Sequence, residues 1–244
     1  MEIRYLAHSG FAVFTERTCC IFDYFNDKPK GGGLDEGVIV PAALAAWTAG
    51  SEGREVYVFV SHHHHDHWNP VVFSWREACP SIRYILSSDV WTKEEAERMK
   101  PGEVRTAGRA VVHTLPSTDE GVAFLVQVDG YTLYHAGDLN WWHWEGEPEE
   151  DNRRMERKFK TQTDSLKGER VDLAFLPADP RQGEDGLRGL LYFMDAVRPR
   201  FAVPMHCWED ADWFERLKTA PVLSPYRERL RIMDRRGQRE EIPG

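Results

Sequence analysis

The chain has 244 residues, enough for a sizeable core, and its 41% hydrophobic and 29% charged residues are the balance of an ordinary globular protein. With 31 basic and 40 acidic residues the net charge is −9 and no basic block occurs, which disfavours extended binding to nucleic acid but suits a small substrate at a local cationic centre. No apolar run is long enough to span a bilayer and the opening MEIRYLAHSGFAVF lacks a basic-then-apolar leader, so the expectation is no membrane partner and a cytoplasmic location.

In chain order, short strands are predicted at Glu2–Leu6, Phe11–Thr15 and Cys19–Tyr24, followed by a Gly- and Pro-rich loop over residues 26–37. A helix is predicted over Pro41–Trp47, with Pro41 suited to the first turn, and the β-branched run EVYVFVS (55–61) reads as a buried strand. Thr92 and Glu95 stand at capping-box spacing and predict a helix over 92–99. GVAFLVQV-DG-YTLYHAGD is two strands joined by Asp129-Gly130, a strong hairpin signal. A charged exposed helix (152–166), a buried strand (171–179), a helix (186–197), a strand (200–206), a helix (210–220) and a final hairpin complete the chain. Strand-rich halves each followed by helices imply a layered α/β protein. With no repeat, low-complexity tract or linker, one domain over residues 1–244 is the simpler organisation. Cys19, Cys20, Cys79 and Cys207 form no CxxC pair, and the adjacent Cys19 and Cys20 read as small buried hydrophobes.

The stretch VSHHHHDHWNP (60–70) carries five histidines and an aspartate at the end of a strand. A tag is terminal and unbroken, whereas this run is internal and interrupted by Asp66. Alternation in a loop leaving a strand lets His62 and His64 face one point while His63 and His65 face away, and Asp66 with His67 can converge on a second point nearby. Imidazole and carboxylate suit a borderline divalent ion, with zinc the first choice and manganese or iron the alternatives. Asp138 and His206 each follow a buried strand, and layered folds gather such strand ends at one sheet edge.

The pattern His62-x-His64-x-Asp66-His67, then Gly137-Asp138, then His206 resembles the metallo-β-lactamase superfamily, as do the opening YLAHSGFAVFTERTCCIFDYF and the segment PMH. Within it, the short chain is similar to the ascorbate-6-phosphate lactonase-like group. The resemblance implies a four-layer αββα sandwich holding one or two divalent ions. It implies His62 and His64 on the first metal, Asp66, His67 and His206 on the second, and Asp138 between them. A water acidified by the cations would be the nucleophile, with Asp66 as the catalytic residue that orients it or takes its proton. The activity implied is hydrolysis of a small ester, lactone, amide or phosphodiester. A non-catalytic metal-binding or regulatory module is the alternative, and a nuclease a weaker one.

The superfamily supplies a further histidine to the first metal near Ser117, and none lies there. Asp119 or Glu120 replaces it, His113 swings in, or the first site is incomplete; with a hydroxyl where the imidazole would stand, the first site should be the weaker and unequal occupancy is expected. Trp141, Trp142 and Trp144 directly follow Asp138 and form either an aromatic wall for substrate or a packing or oligomer contact. His135 reads as a packed or supporting histidine, His8 as structural or as an edge of the cleft, and Asp179 or Arg181 as rim residues, where an arginine holds an anionic group.

Overall fold

Runs of β-branched and aromatic residues build two sheets, seen in a computed structural model that describes residues 1–243. The first sheet takes β1 (Glu2–Ala7), β2 (Gly10–Phe14), β3 (Thr18–Phe22), β4 (Glu55–Val60), β5 (Arg83–Ser87) and β6 (Glu97–Met99) in sequence order. The second holds β7 (Val104–Ala107), β8 (Ala110–Pro116), β9 (Val122–Val128), β10 (Tyr131–His135), β11 (Leu173–Pro177) and β12 (Phe201–Met205), and β13 (Arg239–Glu241) closes the first sheet beside β1. Both sheets follow one plan: an antiparallel meander, then parallel strands from β3 onward and from β10 onward.

Alternation in β3 shows how the layers arise. Cys20 and Phe22 point into the core between the sheets, while Cys19 and Ile21 point to the outer face, which α1 (Pro41–Ala49) and a 3-10 segment at Pro70–Glu77 cover. Both cysteines are buried and unbridged, as expected for small hydrophobes. The outer face of the second sheet is covered by α2 (Glu149–Asp164), α3 (Arg188–Ala196) and α4 (Ala211–Thr219), whose apolar side chains Phe159, Phe193 and Leu217 join the core. The result is the αββα sandwich.

Two predicted elements differ. Residues 92–99 are not helical, because Glu97–Met99 pairs in parallel with Ile85–Ser87 and Met99 is buried, so the ladder and core outweigh the local cap. Thr92 Oγ1 accepts from the Glu94 amide instead, in a local turn. Among the described residues the tail forms no hairpin of its own: Arg239–Glu241 pairs with β1 and Leu230 bridges to Ala202.

The Asp129-Gly130 turn does form, with both residues at positive φ. Asp129 also ties the sheets together, since its Oδ2 accepts from Thr15 Oγ1 (2.5 Å), the Arg17 amide (3.1 Å) and Thr18 Oγ1 (3.2 Å). Asp129→Ala strands these donors and should cost roughly 1–3 kcal/mol. Urea denaturation checks this, and an unchanged midpoint would show that the tie carries no stability.

Candidate metal centre

Strand ends and one hairpin turn deliver the candidate residues to a common edge. β4 stops at Val60 because the next amide, Ser61, bonds to the Asp23 carboxylate (2.8 Å) rather than to a neighbouring strand. Asp23 sits just past β3 at positive φ, fully buried, and also accepts from Ser61 Oγ (2.7 Å) and pairs with His67 Nδ1 (2.8 Å). The chain therefore turns sharply after Ser61, and His62 through His67 fold back over the sheet edge. β10 delivers Asp138, β12 delivers His206, and the turn between β1 and β2 delivers His8.

Outer contacts aim each imidazole. Ser61 Oγ lies 2.9 Å from His62 Nδ1, Asp23 holds His67 Nδ1, and Asp179 holds His206 Nδ1 at 2.9 Å. All three Nε2 atoms thus turn toward Asp138. Asp138 Oδ2 is 3.6 Å from His62 Nε2, whereas Oδ1 is 3.3 Å from His67 Nε2 and 3.4 Å from His206 Nε2. His64 presents Nδ1 to the same region, 3.0 Å from His62 Nε2. Two of the donor groups surround this point: His62, His64 and Asp138 form one, and His8, Asp66, His67 and His206 the other, with ligand atoms in each within 4.8 Å of one another, while a third and more exposed set, His63, His64 and Glu120, lies outside it.

Burial alone would raise the Asp138 carboxyl, but the surrounding His67, His206 and His62 hold it well below the usual range, so it stays ionised. Burial and the charge of His67 push His62 down to about 4. His67 Nε2, Asp138 Oδ1 and both nitrogens of His8 are buried without a hydrogen-bond partner. Such atoms are costly to leave unpaired. A divalent cation satisfies imidazole and carboxylate donors together, so the residues present fit the ion that the sequence suggests.

The loop that lacks the further histidine is Pro116–Gly121. Thr118 is buried there, but its hydroxyl both accepts from the Asn140 amide (2.9 Å) and donates to the Asn140 carbonyl (2.7 Å), so it faces the 138–140 loop. His113 does not swing in: it lines a separate cavity with Glu103, Leu125 and Leu166, because inward and outward residues alternate along β8. Asp119 lines the cleft, and Glu120 reaches His63 Nδ1 (2.9 Å) and approaches His64 Nε2 (3.7 Å), away from the Nδ1 that faces the centre. His63 faces away as predicted, toward Asp89 and Glu120, but His65 turns back to line the cleft.

The cleft has a volume of about 400 Å³, within the range of small-molecule sites. Trp142 and Trp144 wall it, with rings 6.0 Å apart and nearly parallel. Trp141 is not part of that wall. Its ring packs toward Phe159 and Tyr192 with Lys160 over its face, since neighbouring residues of an extended segment point to opposite sides. Met155 of α2 also lines the cleft.

Several residues carry more of the site than their sequence context implies. His8, read as structural, stands inside the cluster with its ring 4.1 Å from that of His206. Asp23 and Asp179 act through the imidazoles they hold, and Trp208 completes the wall, donating from Nε1 to Asp179 (3.3 Å). Arg181 grips Asp179 with two nitrogens and lies over the Trp208 ring. His135 is buried beneath the site as expected, its Nε2 bonded to the Ser9 carbonyl and its ring stacked on Phe22.

Residues 2–148 match a family model described as a beta-lactamase superfamily domain. A comparison with curated protein sequences gives no match. Among solved structures, the chain is similar to Igni18, a metallo hydrolase from the hyperthermophilic archaeon Ignicoccus hospitalis, at 16% identity and a TM-score of 0.63 over 99% of each chain. A diphosphatase of the PhnP family is similar at 11% identity and a TM-score of 0.57, covering 99% of this chain and 98% of that one. CmlA, a diiron β-hydroxylase from Streptomyces venezuelae, is similar over 84% of this chain and 44% of its own, at 14% identity and a TM-score of 0.54. No helix among the described residues is long and apolar enough to cross a membrane.

Proposed function

The chain belongs to the beta-lactamase superfamily, and from that premise we propose that it is a metal-dependent hydrolase of a small ester, lactone, amide or phosphodiester substrate. The observation that carries this reading is the division of Asp138 between the two donor groups, one oxygen toward His62 and the other toward His67 and His206. His62 and His64 would hold one ion, Asp66, His67 and His206 the other, and Asp138 would serve both. When bound, divalent ions polarise the electrophile and make water nucleophilic near neutral pH. Zinc suits this donor set first, and manganese or iron would also be accepted.

The remaining roles fall to side chains. Asp66 lines the cleft and is the proposed group that orients the attacking water and takes its proton. Trp142 and Trp144 would flank a flat or partly apolar substrate. Arg181, fixed by Asp179 at the cleft edge, would hold an anionic substituent. That arginine and the likeness to a diphosphatase favour phosphate-bearing substrates, among them phosphodiesters and phosphorylated sugar-acid lactones. A small-molecule partner is proposed in preference to nucleic acid, in keeping with the net charge of −9.

Slow hydrolysis of generic esters or phosphodiesters that disappears on chelation and returns with Zn²⁺ or Mn²⁺ is the expected outcome. His64→Ala should abolish it. Metal binding without hydrolysis of any such substrate would favour the non-catalytic module, for which the two-histidine first group is the supporting observation. Hydrolysis that survives chelation would overturn the metal reading.

A further inference from the structure

We propose that His8 is an additional ligand of the second ion, so that this site is the fuller and tighter of the two. The inference rests on the metal reading above. His8 is 3% exposed, and neither ring nitrogen has a hydrogen-bond partner. Its Nε2 lies 3.6 Å from Asp66 Oδ2, and its ligand atom falls in the same 4.8 Å group as those of Asp66, His67 and His206. A histidine that merely packs could keep one nitrogen in water or on a carbonyl. This one has been taken out of water without either, a cost that donation to a cation would offset.

The backbone around His8 is also built to hold the ring there. The residue sits at positive φ in the two-residue turn between β1 and β2, a conformation that a non-glycine residue rarely adopts without support from its surroundings. Three bonds fix the turn: the His8 amide donates to Tyr5 Oη (2.9 Å), the His8 carbonyl accepts from the His206 amide (3.3 Å), and the Ser9 carbonyl accepts from His135 (2.8 Å). The second of these couples His8 directly to another member of the same donor group. With His8 included, the second group offers three imidazoles and Asp66 beside Asp138, against two imidazoles and Asp138 in the first group. Unequal filling then follows from donor number, independently of what replaces the absent histidine near Ser117.

The test compares the wild-type chain with His8→Asn, because asparagine tolerates positive φ and preserves the turn while removing the imidazole. Zn²⁺ retained after dialysis and visible absorption during Co²⁺ titration are the readouts. In His8→Asn the tighter binding phase should weaken by at least about a hundredfold, since loss of a direct ligand costs no less than the roughly 10–100-fold typical of losing a group that only orients one, and the cobalt bands should change. The weaker phase should stay unchanged, and His64→Ala should show the reverse. X-ray absorption of wild-type protein carrying one equivalent of Zn²⁺ gives a readout independent of any variant. Three imidazoles on the ion support the assignment, and two overturn it. An unaltered tight phase and cobalt spectrum in His8→Asn would also overturn it while leaving the metal centre intact. A wild-type chain that retains no ion would overturn both readings.

Discussion

Asp138→Asn is expected to lower kcat/KM for any ester or phosphodiester the chain hydrolyses by on the order of a thousandfold. The substitution keeps shape and removes charge. In the native arrangement one carboxylate faces three imidazole Nε2 atoms at 3.3–3.6 Å, and its ionised state is stabilised by them. An amide offers one acceptor and turns an NH₂ group toward the remaining donors, so both groups of ligands lose a shared anion at once. Metal retention should therefore fall for both ions in Asp138→Asn, whereas His64→Ala should reduce only the first. His113→Ala is the matching control, because that histidine lines a different cavity and should leave both rate and metal content near wild type. Asp138→Asn protein that holds two ions and keeps its rate would remove Asp138 from the centre of the mechanism.

How much of this was readable in advance depends on the distance over which each signal acts. His62, His64, Asp66 and His67 lie within six positions at a strand end, so alternation alone separates the inward from the outward histidines, apart from His65, which the turn brings back to the cleft. Asp138 and His206 were legible because buried strands point at them. His8 was legible only as a residue that could edge the cleft, since a histidine after a short strand carries no local mark, and long-range bonds of its turn, among them that of its carbonyl with the His206 amide, bring it into the group. Asp23 and Asp179 were obscure for a similar reason: a carboxylate that holds an imidazole looks in sequence like any loop aspartate. Trp141 and Trp142 are indistinguishable by residue type, and their opposite fates follow from backbone direction. The helix predicted at 92–99 failed because a capping signal of about 1 kcal/mol competes poorly with a buried strand pairing and a buried Met99.

The loop without its histidine nevertheless shapes the centre, and Gly121→Ala should reveal how. Gly121 has φ of +69°, and a Cβ placed there would lie 2.0 Å from the Ser61 carbonyl oxygen and 2.5 Å from His62 Cβ. That same carbonyl accepts from the Val122 amide at 2.9 Å, so it cannot move away without breaking the bond that docks the loop onto the end of β4. Left-handed strain of about 1–2 kcal/mol and a lost buried hydrogen bond of about 1–3 kcal/mol act together. Their sum should lower Tm by on the order of 10 °C for a chain of this size. Gly130→Ala isolates the strain alone: φ is +80° there and nothing lies within 4 Å, so its cost should be only about 1–2 kcal/mol. Because the clash falls on Ser61 and His62, Gly121→Ala should also weaken metal binding at the first group more than at the second. A close backbone approach at this position thus fixes Ser61 and the base of the His62 side chain. Equal melting temperatures for the two alanine variants would mean that the loop yields freely and contributes nothing to the placement of His62.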